Sequence, residues 1–125
     1  MSVTPVPKMS AARAVLRIHV SLSPEGLLRG FEARGHAGIA PAGENLACAA
    51  ATVLLRSAAR ACAARGLATG GGAKEQGDLR LSLARASEPE RGWLRGVTDM
   101  LLRGVDDLQR DHPGAIEVEL EGVEP

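Results

Sequence analysis

The chain has 125 residues, 15 basic and 15 acidic, with 45% hydrophobic and 2% aromatic content. That length is one domain, able to bury a core without a disulfide or metal staple, and the core has to be aliphatic. Zero formal charge excludes the positive footprint of a nucleic-acid binder.

Residues 1–13 read as a disordered tail, with Met9 a candidate translation start, and 14–121 as a single domain. Nothing in Met1–Arg13 resembles a signal peptide. Ala14–Leu22 alternates Leu16, Ile18, Val20 and Leu22 against Arg17, His19 and Ser21, the pattern of a half-buried strand. Ser23-Pro24-Glu25-Gly26 is a turn, and Leu27–Gly35 returns as the second strand. Ala37–Gly43, with Gly38, Pro41 and Gly43, is a flexible connection. A helix from about Asn45 to Arg65 follows, rich in Ala and Leu and ended by Gly66 in a left-handed cap. Its apolar surface is so broad that it must be covered on more than one side. Arg56 and Arg60 interrupt it, which argues against a membrane span.

Thr69–Gly72 reads as a loose linker. It lacks the Gly-Lys-Ser/Thr ending of a phosphate loop. Leu79, Leu81 and Leu83 alternate as a third strand. Ser87-Glu88-Pro89-Glu90 is a capping box opening an amphipathic helix with Leu94, Val97, Leu101, Val105 and Leu108 on one face. Pro113 and Gly114 stop it. Ile116, Val118 and Leu120 alternate with Glu117, Glu119 and Glu121 as a fourth strand. The order β-β-α-β-α-β predicts an α/β (α+β) two-layer sandwich, helices packed on one face of a four-stranded sheet.

Cys48 and Cys62 share the first helix, roughly 21 Å apart at about 1.5 Å per residue, too far for a disulfide. Two thiols suit a reducing compartment, so the expected location is cytoplasmic. Cys62 reads as core, His19 as solvated, His112 as a cation at a helix end, and Trp93 as a packing residue. No cluster has metal-ligand spacing, and no cofactor is expected.

Gly35-His36-Ala37 followed by Gly43-Glu44-Asn45-Leu46-Ala47-Cys48-Ala49-Ala50 is the stretch that suggests chemistry. With Asn45 as N-cap, Cys48 falls in the first helical turn, where the dipole favours thiolate. A nearby imidazole lowers the thiol pKa further, and free amides near Cys48 and Ala49 offer an oxyanion site. Spacing alone favours an inert buried thiol, the usual state of a Cys in an Ala-rich helix.

These residues resemble the ribosomal-processing cysteine protease family, Prp. Its pattern is Gly-His-Ala, a short loop, then Gly-x-Asp-x-Val-Cys-Ala-x-x-Ser. The resemblance spans about Ala14–Glu121. It implies a cytoplasmic, homodimeric endopeptidase that removes a short N-terminal extension from a large-subunit ribosomal protein, the twenty-seventh of its series. It implies Cys48 as nucleophile, His36 as base and proton donor, and a substrate-gating loop carrying Gly38, Pro41 and Gly43. Partners expected are that precursor and a second copy, not nucleic acid or membrane. Three positions depart from the pattern. Asn45 replaces Asp, able to cap a helix or orient the pair but not to supply charge. Ala47 replaces Val. Thr52 replaces Ser, placed to orient the thiol or to bond back to the Cys48 carbonyl. Two alternatives stand beside this reading: a non-catalytic homodimeric module binding a ribosomal protein, and a peptidase of the same mechanism with another substrate.

Overall fold

The structure, a computed structural model, describes residues 16–35, 42–72 and 79–123, with side chains of the first helix described from Leu46 onward. Strands β1 (Leu16–Leu22) and β2 (Leu28–Arg34) form an antiparallel hairpin. At its turn Gly26 takes a φ of +84° and donates its amide to the Ser23 carbonyl at 2.8 Å. The Ser23 hydroxyl accepts from the Leu27 amide at 3.1 Å. Helix α1 (Ala42–Ala64), strands β3 (Ala68–Gly72) and β4 (Leu79–Leu83), helix α2 (Glu88–Asp111) and strand β5 (Ile116–Gly122) follow.

The sheet order is β3-β4-β2-β1-β5. Only β5 runs parallel to its neighbour, β1; the other pairs are antiparallel. Leu16, Ile18, Val20, Phe31, Ala33, Leu81, Leu83 and Ile116 are buried on the face that α1 and α2 cover. Burying one such Leu, Ile or Val is worth about 1.5–3 kcal/mol. The other face is charged and open. Thr98 ties the layers together: its hydroxyl accepts from the Leu28 amide at 3.0 Å and donates to the Leu94 carbonyl at 2.8 Å.

The two-layer class matches the sequence expectation, but among the described residues the sheet has five strands, not four. The segment read as a linker, Thr69–Gly72, belongs to β3 at one edge. Glycine disfavours strand in isolation; here pairing with β4 overrides that preference. Gly71 and Gly72 hold φ of +148° and +138°, and a Cβ at Gly71 would sit 2.6 Å from the Arg80 carbonyl oxygen, so the close approach needs glycine.

Three further expectations are corrected. Helix α1 begins at Ala42, three residues before the proposed cap, so Gly43 is helical and the connection shorter. Ser87 is the N-cap of α2 but makes no side-chain cap bond. Glu90 instead accepts from Arg65 Nε at 2.8 Å, and Arg65 stacks over Trp93, 4.6 Å from the ring centroid. Finally, Leu46–Ala64, 19 residues of mean hydropathy 1.4, is long and apolar enough for a membrane span despite its arginines. Its inner face is a core stripe instead: Ala47, Ala51, Leu55 and Cys62 are fully buried against the sheet and α2. Gly66, φ +74°, ends it as expected, donating to Ala63 while Leu67 donates to Cys62.

Candidate active site

Cys48 lies on the inner face of α1 and is only 3% exposed. Counted from Ala42, it is the seventh helical residue, in the second turn and not the first. Thr52 follows one turn later, and its hydroxyl donates to the Cys48 carbonyl at 2.8 Å. That is the back-bonding role for Thr52; its one proton is engaged there and is not offered to the sulfur.

The earlier helix start changes two assignments. Asn45 is the fourth residue of α1, so it is not the N-cap. Free amides belong to the first four helical residues, here 42–45. The amides of Cys48 and Ala49 lie inside the helical ladder, where each N–H bonds the carbonyl four residues back. Ala49 therefore does not offer a free oxyanion donor. The macrodipole also fades beyond the first turn, so it acts on Cys48 less strongly than a first-turn position would allow.

His36, and residues 37–41 of the expected gating loop with Gly38 and Pro41 among them, lie outside the described residues. The described approach to them is Gly35, which follows β2 with φ +117°. Strand β2 ends at Arg34, and the next described element is α1 from Ala42, which carries Cys48.

Cys62 is fully buried, and burial pushes its thiol pKa up, which disfavours the reactive thiolate. It is core, as its sequence position suggested. Among the described residues no group of three His, Cys, Asp or Glu could hold a metal.

The open sheet face holds a second collection of polar groups. Parallel pairing sets Arg17 beside Glu117 and His19 beside Glu119. Arg17 Nε meets Glu117 at 3.1 Å. His19 bonds Glu119 through Nδ1 at 3.2 Å and Glu121 through Nε2 at 2.5 Å. These bonds raise the His19 pKa, Glu121 contributing most and Glu119 next. Arg34 and Arg80 both reach Glu32 at 3.3 Å. A shallow groove of about 630 Å³ runs between Arg17, Glu32, Arg34, Glu117 and Gly35. Reading the sequence alone leaves His19 solvated, because nothing local announces that β5 lies alongside β1.

The family model of the cysteine protease Prp matches residues 15–117. The chain belongs to the Prp family. Solved structures share its fold. SMU.848 from Streptococcus mutans superposes with a TM-score of 0.70 at 18% identity, covering 88% of this chain and 97% of that one. The essential ribosomal processing protease Prp from S. aureus, in complex with a substrate peptide, gives 0.70 at 12% identity, covering 86% and 100%. The same protease with a covalently linked product peptide gives 0.68 at 13%, covering 86% and 100%. Among curated proteins, none matches the chain. Membership in Prp makes the chain a cysteine peptidase; of its two cysteines, both buried, Cys62 is the one whose thiol pKa burial raises.

Proposed function

We propose that this Prp-family peptidase is a ribosomal-processing endopeptidase that removes an N-terminal extension from a large-subunit ribosomal protein, the twenty-seventh of its series. The observation that carries this is the family match over residues 15–117, joined to a fold shared with a protease solved with its substrate peptide.

Cys48 is the nucleophile and His36 its base. His36 takes the thiol proton, and the thiolate attacks the scissile carbonyl carbon to give a tetrahedral intermediate. Its collapse expels the amine, protonated by His36, and leaves a thioester. Water, deprotonated by His36, releases the acid and regenerates the thiol. With Cys48 in the second turn of α1, most of the thiolate's stabilisation falls to the His36 imidazolium and less to the dipole. Because Cys48 is 3% exposed, substrate entry requires its surroundings to give way. The Ala37–Gly43 segment is assigned that gating role.

The enzyme works in the cytoplasm, where thiols stay reduced, and as a homodimer. Leu46 and Val53, 63% and 58% exposed on α1, supply an apolar face for the second copy. The test of substrate is direct. The purified chain is incubated with the precursor ribosomal protein, and with the same protein lacking its extension, and the products are weighed by mass spectrometry. One cut at the extension junction supports the reading; a precursor left whole while another peptide is cut points to a different substrate.

The burial of Cys48 favours one second reading, a non-catalytic module that binds the ribosomal protein. On that reading Cys48→Ala keeps full function in cells.

A further inference from the structure

We propose that the outer edge of β3, with Arg56 and Arg60 of α1 beside it, is a docking site for an extended acidic segment of a partner protein, which adds as a further strand to the sheet. Strand β3 stands at the end of the sheet order and pairs only with β4 among the described residues. Thr69–Gly72 is exposed, and Gly70, Gly71 and Gly72 have no side chains to screen the unpaired backbone N–H and C=O groups. Edge strands are ordinarily blunted by Lys, Pro or covering loops; among the described residues the register shift between Ala68 and Gly70 is the one such device in this strand, and beyond it Gly70–Gly72 pair in register with β4.

A groove of about 640 Å³ lies between this edge and α1. Its described lining includes Arg56, Arg60 and Arg80 and no acidic residue. Arg80 bridges to Glu32 at 3.3 Å. Arg56 and Arg60 form no ion pair among the described residues and are exposed. Two uncompensated guanidinium groups beside a bare strand edge select carboxylates. The spacing agrees. Residues four apart on a helix are about 6 Å apart along its axis, and alternate residues of a strand about 6.6–6.8 Å. A strand laid on β3 thus brings carboxylates at positions i and i+2 to Arg56 and Arg60. Main-chain bonds give such an addition its affinity, and alternate side chains its specificity.

The occupant is a different protein, not a second copy. The acidic strand of this chain is β5, and its Glu117, Glu119 and Glu121 are already engaged by Arg17 and His19. Pairing β3 with β5 of a copy is also head-to-tail, which builds a ring or a filament and not a two-fold dimer. Arg56 and Arg60 lie two and three turns beyond Cys48, roughly 12 and 18 Å along the helix at about 1.5 Å per residue, so docking takes place away from the thiol.

The probe is a capped octapeptide alternating Glu and Val, titrated into the ¹⁵N-labelled full chain. Its amide shifts are expected to cluster at Ala68–Gly72. Arg56→Glu with Arg60→Glu weakens its Kd at least tenfold, and Arg56→Gln with Arg60→Gln, a milder pair should the reversal unfold the helix, weakens it at least threefold. Peptides alternating Lys and Val, or N-methylated at every second amide, do not bind. Equal affinity of the Lys peptide, unchanged affinity of both arginine pairs, or shifts confined to β5 or the open face would overturn the proposal. So would a peptide-free dimer whose Gly70–Gly72 amides are protected from exchange, which makes a second copy the occupant.

Discussion

The Thr52 hydroxyl donates to the carbonyl oxygen of Cys48 at 2.8 Å. The bond ties two successive turns of α1 at the nucleophile proposed for the reaction. A hydroxyl has one proton, so Thr52 supplies no donor to a thiolate at Cys48. Thr52→Val, nearly isosteric, is expected to leave the pH profile of Cys48 alkylation by iodoacetamide unchanged and to alter peptide cleavage less than threefold. A rise in the apparent thiol pKa would show that Thr52 acts on the sulfur after all.

Glycines divide by what surrounds them. Gly96 lies exposed on α2, with nothing within 4 Å of an added Cβ. Gly96→Ala is expected to stabilise the chain by about 0.5–1 kcal/mol through helix propensity. At Gly71, φ is +148° and the added Cβ meets the Arg80 carbonyl oxygen at 2.6 Å. Gly71→Ala is expected to cost about 1–3 kcal/mol, the cost of a strained backbone position. Urea denaturation of both variants checks the pair, and a stabilising Gly71→Ala would mean that β3 does not pair as described.

His19 predicts a pH dependence. Both ring nitrogens face carboxylates, those of Glu119 and Glu121, and only the imidazolium donates from both. Arg17 and Ser21 flank it on β1, Glu32 is its partner on β2, Arg34 and Arg80 reach Glu32, and Glu117 pairs with Arg17. The native pKa is raised, so the contribution is full below the unfolded value of about 6.5 and is lost as pH rises through the native value. With the side chain 38% exposed, solvent screens the pair and the effect is small. The Tm is expected to decline from pH 6 to pH 8.5, and His19→Gln to flatten that part of the curve. An equal decline in the variant would assign it to other groups.

Alternation and helical spacing carry most of the fold. Leu16, Ile18 and Val20, then Leu81 and Leu83, then Leu94, Leu101 and Val105 all point into the core, as their periods predict. What the pattern misses has physical causes. Strand β3 is invisible because Gly70–Gly72 carry no side-chain period, and only the pairing with β4 makes them a strand. The start of α1 is misplaced because Pro41, Ala42 and Gly43 read locally as loop, although the chain is helical from Ala42. Thr98 gives no signal among its apolar neighbours, yet it joins α2 to β2. At the site, Cys62 in the core and Thr52 bonded back to the Cys48 carbonyl were legible from their spacing, whereas Cys48 lies a turn deeper in α1 than the sequence suggested. The capping role read for Asn45 and the oxyanion role read for Ala49 depended on the helix start and fall with it.

The central claim is that Cys48 and His36 act as one catalytic unit, and the most direct measurement is a cycle of kcat/KM values for junction-peptide cleavage. Groups that act as a unit are not additive. Cys48→Ala and His36→Ala are each expected to reduce kcat/KM by about 10²–10⁴-fold or more, and the double variant to be no slower than the slower single one. Cleavage that persists in Cys48→Ala at the wild-type rate would contradict the account.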